Sequence, residues 1–146
     1  MSETNKSFTL FNSGSLQDWI NNSVELPGLG KIPGKLFIKD LLGLTSSQIS
    51  INAMAPGDSV PFYHSHKRNE EIYIFIHGRG QMQIDHETID VSEGSIVRLS
   101  PRAVRTIRNN SDTPLVHIVA QMEENSLVQS GLEDGIASDE KVVWQD

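Results

Sequence analysis

Residues 57–78 read GDSVPFYHSHKRNEEIYIFIHG, and the fold class predicted for the whole chain rests on this stretch. His64 and His66 stand two positions apart, and Glu71 follows them at the start of an apolar run. In an extended chain, residues i and i+2 project from the same face, so both imidazoles point the same way. A short turn over residues 67–70 would let Glu71 begin the next strand and direct its carboxylate at the two imidazoles.

This group of side chains has the composition of a metal site. Two neutral imidazoles and one carboxylate form the ligand set that non-haem iron and related divalent metals use. The sequence therefore predicts that His64, His66 and Glu71 bind a divalent ion, for which we consider Fe, Mn, Ni and Zn. Tyr73 and Phe75 share the strand parity of Glu71, so we expect both rings to point inward, as substrate contacts or as plain core.

On both sides of this stretch the chain consists of short runs rich in β-branched and aromatic residues, separated by glycine, asparagine and aspartate. The predicted strands are residues 35–41, 48–54, 62–66, 71–76, 80–84, 88–91, 95–99, 104–108 and 115–122. Short strands at this spacing, with no helix between them, indicate an antiparallel sandwich or barrel. We assign this domain to residues 35–122.

Residues 1–34 are expected to form an N-terminal extension. Leu16, Trp19 and Ile20 lie on one helical face behind a capping serine, which predicts a short helix over residues 15–22. The segment 26–34 is rich in glycine and proline, so we expect a loop between this helix and the barrel.

Residues 123–146 differ from the rest of the chain, because they contain seven acids and one lysine. We expect a mostly solvated acidic tail. The apolar patch at residues 142–144 could dock on the barrel or on a second subunit.

The net charge of the chain is −7, and the tail accounts for −6 of it. The overall acidity argues against nucleic acid or an anionic membrane as partner, because both demand a basic surface. Residues 1–122 carry only −1, which leaves an anionic small molecule open as a ligand. Cysteine is absent, which excludes a disulfide framework, a thiolate metal site and a cysteine nucleophile. With no secretory signal pattern and no long apolar run, we expect a cytoplasmic location.

The pattern around the histidines resembles the first conserved motif of the cupin superfamily. The residues that carry the resemblance are Pro56, Gly57, His64, His66, Glu71, the segment 73–75 and Gly78, followed in outline by Gly94, Pro101 and Asn109 of the second motif. The resemblance covers residues 44–121. It implies a small antiparallel β-barrel, also called a double-stranded β-helix or jelly roll, and a homodimer.

Arg105 departs from the family pattern, because it stands where the fourth ligand histidine would be. A guanidinium has no lone pair for a metal, and at about 5 Å a divalent ion would repel it by about 6–7 kcal/mol at a dielectric of about 20. Two arrangements remain open. In the first, His64, His66 and Glu71 hold the metal while Arg105 turns aside or binds a carboxylate or phosphate of the substrate. In the second, Arg105 pairs with Glu71, the metal is absent, and the histidines act as hydrogen-bonding or acid–base groups.

A cluster of arginines supports an anionic ligand. Arg98, Arg102, Arg105 and Arg108 fall within eleven residues, and no acid interrupts them. Only some of the four can face the interior of a strand pair, and Arg102 and Arg108 are expected to be solvated edge charges.

Three further histidines lie outside the predicted metal site. His117 lies in an apolar strand, where it could line the cavity as a substrate contact or be a buried structural histidine. His77 and His86 lie in predicted turns, and we expect both to face solvent.

Two functional hypotheses follow, with a purely structural one beside them. The first is a metal-binding cupin barrel that binds or acts on a small anionic metabolite, as a dioxygenase, isomerase or lyase if it is an enzyme. Arg105, Tyr73, Phe75 and His117 would then contact the substrate. The alternative is a metal-free barrel that binds or senses a ligand without turnover. A barrel that only dimerises would not explain three convergent ligand-type residues.

Overall fold

The computed structural model describes residues 2–4 and 7–146. The strands are β1 (Ser2–Thr4), β2 (Thr9–Phe11), β3 (Ser23–Leu26), β4 (Gly30–Pro33), β5 (Lys35–Phe37), β6 (Gln48–Met54), β7 (Asn69–His77), β8 (Arg79–Ile84), β9 (Glu87–Ser92), β10 (Ile96–Leu99), β11 (Arg105–Arg108) and β12 (Leu115–Glu123). The helical segments are a 3₁₀ helix at Leu16–Asn21, the short helix α1 (Lys39–Leu42) and a 3₁₀ turn at Leu132–Asp134. No helix in these described parts of the chain is long and apolar enough to cross a membrane.

Two antiparallel sheets make up the body of the fold. The larger has the strand order β10-β7-β12-β6-β5, and the smaller has the order β11-β8-β9. Phe75 and Val119 of the larger sheet share one buried core with Met82 and Ile107 of the smaller sheet. The predicted all-β class is confirmed, and the architecture is a two-sheet β-sandwich.

Alternation along the strands decides which side chains enter this core. On β7, Glu71, Tyr73 and Phe75 are buried while their neighbours are partly exposed. On β11, Arg105 and Ile107 are buried in the same way. Successive residues of a strand point to opposite faces, so one inward residue determines the orientation of the others on its strand.

The outer face of the larger sheet is covered by the N-terminal segment. Trp19 is buried against Ile51, Ala53 and Val116, and its indole nitrogen donates a hydrogen bond of 3.1 Å to Ser13 Oγ. The helix that carries Trp19 is a 3₁₀ helix, at the position where the sequence predicts a short helix.

The prediction of a loop over residues 26–34 is wrong, because β3 and β4 pair there as an antiparallel hairpin. Its glycines allow the hairpin to turn and do not end the regular structure, since Gly28 and Gly30 have positive φ angles of 77° and 79°. Gly34 follows the hairpin with φ of 68°, and a Cβ there would lie 1.9 Å from the carbonyl oxygen of Ala53. Only glycine allows the chain to pass this close to β6 and to start β5 beside it.

Two strand predictions are also wrong in extent. Residues 62–66 form no ladder strand and make a single antiparallel bridge, between His64 and Arg105. Residues 35–41 split into β5 and α1, and α1 ends at Gly43, which adopts the left-handed conformation that glycine favours at a helix end.

The acidic tail does not pack on the barrel. Trp144 is 86% exposed, and Val142 and Val143 are exposed beside it. Of the two contacts expected for residues 142–144, docking on the barrel of its own chain is therefore absent from the described structure.

Candidate functional site

Three ligand-type side chains converge between the two sheets. His64, His66 and Glu71 each offer one ligand atom, and these atoms all lie within 4.8 Å of one another. The Nε2 atom of His66 lies 3.4 Å from Oε2 of Glu71, and that of His64 lies 3.8 Å from Oε1. The structure thus brings together the three residues predicted to bind a metal.

The two histidines are positioned by backbone pairing with the β11 side of the smaller sheet. The amide of His64 donates to the carbonyl of Arg105 at 3.1 Å, and the amide of Arg105 donates back at 3.0 Å. The amide of His66 donates to the carbonyl of Pro101 at 2.7 Å. The segment is therefore extended without being a full strand, which is enough to project both imidazoles to one side.

Glu71 lies on β7, between β10 and β12, opposite Leu99 and Gln121. Its burial would raise the pKa of the carboxyl group, but the nearby imidazole of His64 together with the hydrogen bonds and charge of Arg105 outweigh this and lower the pKa to about 2. Glu71 is therefore ionised at neutral pH, as a metal ligand must be.

The imidazoles are also suited to metal binding. Burial lowers the pKa of His66 below its usual value, Glu71 opposes this shift, and the charges of Arg105 and His64 add to it. Nδ1 of His64 is buried and has no hydrogen-bond partner in the described structure. A neutral imidazole binds a metal ion through its unprotonated nitrogen, and Nε2 of each histidine is the atom that faces Glu71.

Arg105 is completely buried and pairs with Glu71. Its Nε atom lies 3.2 Å from Oε1 of Glu71, and one terminal nitrogen contacts the same oxygen. The other terminal nitrogen donates to the carbonyl oxygens of Ala103, at 2.6 Å, and Pro101, at 3.4 Å. All three guanidinium nitrogens are therefore engaged by the protein, and Oε2 of Glu71 remains directed at His66.

The other three arginines of the predicted cluster do not join Arg105. Arg98 pairs with Glu70 at 2.8 Å and with Glu124 at 2.9 Å, and it is exposed. Arg108 is exposed and hydrogen-bonded to Gln81, and Arg102 is also exposed. The four arginines therefore form no common anion site, because strand alternation and surface partners turn three of them outward.

His117 forms the inner wall with Tyr73 and Phe75. Its ring stacks on Tyr73 at a centroid distance of 5.7 Å and on Phe75 at 5.2 Å. Burial and the nearby charge of Lys35 lower the pKa of His117 to about 3. The contacts of these residues with a substrate stay predictions, whereas His77 and His86 are exposed in the structure.

Sequence reasoning missed Lys35, Ser50 and Asn52. The ammonium of Lys35 donates to Oγ of Ser50 at 3.1 Å and to Oδ1 of Asn52 at 2.9 Å. Burial lowers the pKa of Lys35 to about 8, although the charge of Glu71 partly opposes this. No sequence pattern marked Lys35 as a residue of the interior, because lysine is mostly exposed in folded proteins.

Comparisons with known proteins point to one family. Residues 51–120 match the family model of the cupin domain. The crystal structure of a cupin protein from Bacteroides fragilis, BF4112, is 38% identical, with a TM-score of 0.69, and the match covers 71% of this chain and 88% of that one.

Of two further relatives, one matches over a shorter stretch and the other has a lower sequence identity. An uncharacterized protein of Methanocaldococcus jannaschii, MJ1618, is 35% identical over 63 residues, or 43% of this chain and 50% of that protein. This chain thus matches about half the length of that curated relative. The structure of a predicted oxalate decarboxylase from Thermotoga maritima is 18% identical, with a TM-score of 0.58 over 70% of this chain and 90% of that one, and it supports the fold alone.

Proposed function

We propose, from the premise that this chain belongs to the cupin superfamily, that it is a metal-binding barrel which binds or acts on a small anionic molecule in its interior. The observation that supports metal binding is that the ligand atoms of His64, His66 and Glu71 all lie within 4.8 Å of one another. Their donor set of two imidazole nitrogens and one carboxylate oxygen suits Fe, Mn, Ni or Zn.

Each residue of the site has a distinct role in this proposal. Nε2 of His64, Nε2 of His66 and Oε2 of Glu71 would hold the ion, while Arg105 keeps Oε1 of Glu71 occupied. A divalent ion bound there would act as a Lewis acid toward an oxygen of the ligand. Tyr73 and Phe75 would supply the apolar wall against which the ligand lies.

The charge of the interior supports an anionic ligand. Glu71 contributes one negative charge there, whereas Arg105 and the half-buried Lys35 contribute two positive charges. The interior is therefore one positive charge in excess, and a bound divalent ion would increase this excess. A buried charge needs a partner, so an anion is favoured over a neutral or cationic ligand.

A metal-free binding or sensing barrel is the second candidate, and the ion pair between Arg105 and Glu71 favours it. The pair already supplies Glu71 with a cation, so the carboxylate does not need a metal for charge balance. His64 and His66 would then bind the ligand by hydrogen bonds, and no turnover would follow.

Elemental analysis of the full-length protein, purified without chelators and then dialysed with each metal in turn, separates the two candidates. The metal-binding function predicts about one ion per chain, lost in His64→Ala and in His66→Ala. His77→Ala is the matched control, because His77 is exposed, and it should keep the ion. A wild type that never binds metal would refute this function and leave the metal-free candidate.

A further inference from the structure

The interior face of the larger sheet carries a second polar group beside the metal-site residues. Strand pairing sets Lys35 opposite Asn52, Asn52 opposite His117, and His117 opposite Phe75, so the four form one row across β5, β6, β12 and β7. Paired residues point to the same face of a sheet. Lys35 and His117 therefore face the interior that also contains Glu71.

Lys35 lacks an acidic partner. Its ammonium donates to the neutral oxygens of Ser50 and Asn52, and no carboxylate of the described residues lies within ion-pair distance of it. Beside these two bonds the ammonium lies 5.1 Å from the centroid of the Phe37 ring, and neither this ring nor the two oxygens neutralises its charge. A half-buried cation without a counter-charge is costly, and an anionic ligand would supply that charge.

His117 offers the second donor. It is 4% exposed, and its Nδ1 atom is buried without a hydrogen-bond partner in the described structure. Stacking against Tyr73 and Phe75 fixes the plane of the ring, so Nδ1 is held in place. Buried polar atoms are paired in folded proteins, and an unpaired one therefore points to a missing ligand.

We propose that Lys35 and His117 bind the carboxylate of a small organic acid in the interior of the barrel. The ammonium of Lys35 supplies the charge, and Nδ1–H of His117 supplies a directed hydrogen bond. Ser50 and Asn52 hold the ammonium in position. The inference rests on the proposed function, and it assigns the anion to Lys35 and not to Arg105, because the charge of Arg105 is already paired with Glu71.

A carboxylate fits this site better than a phosphate. In the metal-free protein the interior is in excess by one positive charge, which one carboxylate balances, whereas a phosphate group carries about −1.5 to −2 and three acceptor oxygens. Two donors satisfy the two oxygens of a carboxylate.

The test uses the full-length protein after a chelator has removed metal and has itself been removed by desalting. The probe is ¹³C-labelled acetate, and its carboxyl line width is measured against protein concentration. We expect binding to the wild type and at least tenfold weaker binding to Lys35→Met. Lys31→Met is the matched control, because Lys31 is exposed on β4, and it should bind acetate like the wild type.

A second variant, at His117, tests the inference even if Lys35→Met fails to fold. His117→Phe retains an aromatic ring for stacking but removes Nδ1, so acetate binding should weaken several-fold at an unchanged far-UV circular dichroism spectrum. Equal acetate binding by the wild type and Lys35→Met, or no acetate binding by the wild type, would overturn the inference. Binding of inorganic phosphate in place of acetate, followed by ³¹P line width, would overturn the carboxylate assignment.

The proposed metal binding and the proposed carboxylate binding can be tested separately. Lys35→Met should bind as much metal as the wild type by elemental analysis, since Lys35 is not among the ligands. Acetate binding by a wild type that never takes up metal would support this inference and refute only the metal. Loss of metal in Lys35→Met would count against it, because Lys35 would then support the metal-site residues.

Discussion

Arg105 and Glu71 form an ion pair that is shielded from solvent, since the guanidinium is fully buried and Glu71 is 5% exposed. The resemblance to the cupin motif implies a ligand histidine at the position of Arg105. A cation therefore takes the place of a metal ligand and occupies one oxygen of the carboxylate that remains. We expect this pair to support the stability of the fold, because either partner is costly to bury alone, and to weaken metal binding at the proposed site.

Arg105→Met should destabilise the protein strongly. The variant leaves the buried carboxylate of Glu71 without the guanidinium that balances its charge, and breaking a buried pair costs about 3–5 kcal/mol. We expect the free energy of unfolding of the metal-free protein, measured by urea denaturation, to fall by that amount.

Arg108→Met is the control for this measurement. Arg108 is exposed and bonded to the side chain of Gln81, so its loss should stay within about 0.5 kcal/mol. Similar losses in the two variants would mean that the buried pair contributes little to the fold.

Strand parity was readable from the sequence, whereas the partners of most charged residues were not. Alternation alone predicts that Glu71, Tyr73 and Phe75 point inward, and the structure buries all three. Arg98 contacts Glu70 and Glu124, which lie 28 and 26 positions away in the chain, and no local pattern encodes such contacts.

The role of Lys35 was hidden for a related reason. Lysine is mostly exposed in folded proteins, so a lone lysine at the start of a strand carries no sign of burial. Its environment depends on the β3–β4 hairpin and on Gly34, which bring β5 against β6. The glycines and prolines of that hairpin suggested a loop, because hairpin turns and irregular loops use the same residues.

Arg105→His should raise metal affinity. The substitution removes a cation from the site and provides an imidazole at the position of the fourth ligand. We expect Ni²⁺ or Zn²⁺ to bind at least tenfold more tightly, or by about 1.4 kcal/mol, in competition with a chromophoric chelator.

Arg105→Gln is the control that separates charge from coordination. It removes the same charge without adding an imidazole, so its gain in affinity should be smaller. If both variants bind metal equally well, the introduced imidazole is not a ligand.

His117 should make the protein less stable in acid. Its pKa is about 3 in the folded state and 6.5 in the unfolded chain, so below pH 6.5 the unfolded state binds a proton that the folded state does not. This contribution to stability is complete above pH 6.5 and is lost progressively as the pH falls from 6.5 toward 3, by up to about 1.4 kcal/mol per pH unit.

Urea denaturation at several pH values between 7 and 4 measures this loss. His117→Phe should show a shallower decline than the wild type, because it has no titrating group at this position. His77→Phe should keep the decline of the wild type, since His77 is exposed. Parallel curves for the wild type and His117→Phe would show that other groups cause the acid sensitivity.

Trp19 and Trp144 should differ sharply in their effect on stability. Trp19 is 6% exposed and covers the outer face of the larger sheet at Ile51, Ala53 and Val116, whereas Trp144 is 86% exposed in the tail. Trp19→Ala should reduce the free energy of unfolding by about 3–5 kcal/mol, which is usual for a buried tryptophan. Trp144→Ala should change it by less than about 0.5 kcal/mol in dilute protein.

The same pair of variants tests whether the tail contacts a second subunit. Burial of residues 142–144 in a dimer would make the effect of Trp144→Ala grow with protein concentration, since association stabilises the folded state by mass action. Urea denaturation of both variants at low and high protein concentration measures this. An effect of Trp144→Ala that stays small at every concentration would exclude the tail from a stabilising interface, and the covering of the sheet by Trp19 would remain an internal feature of each chain.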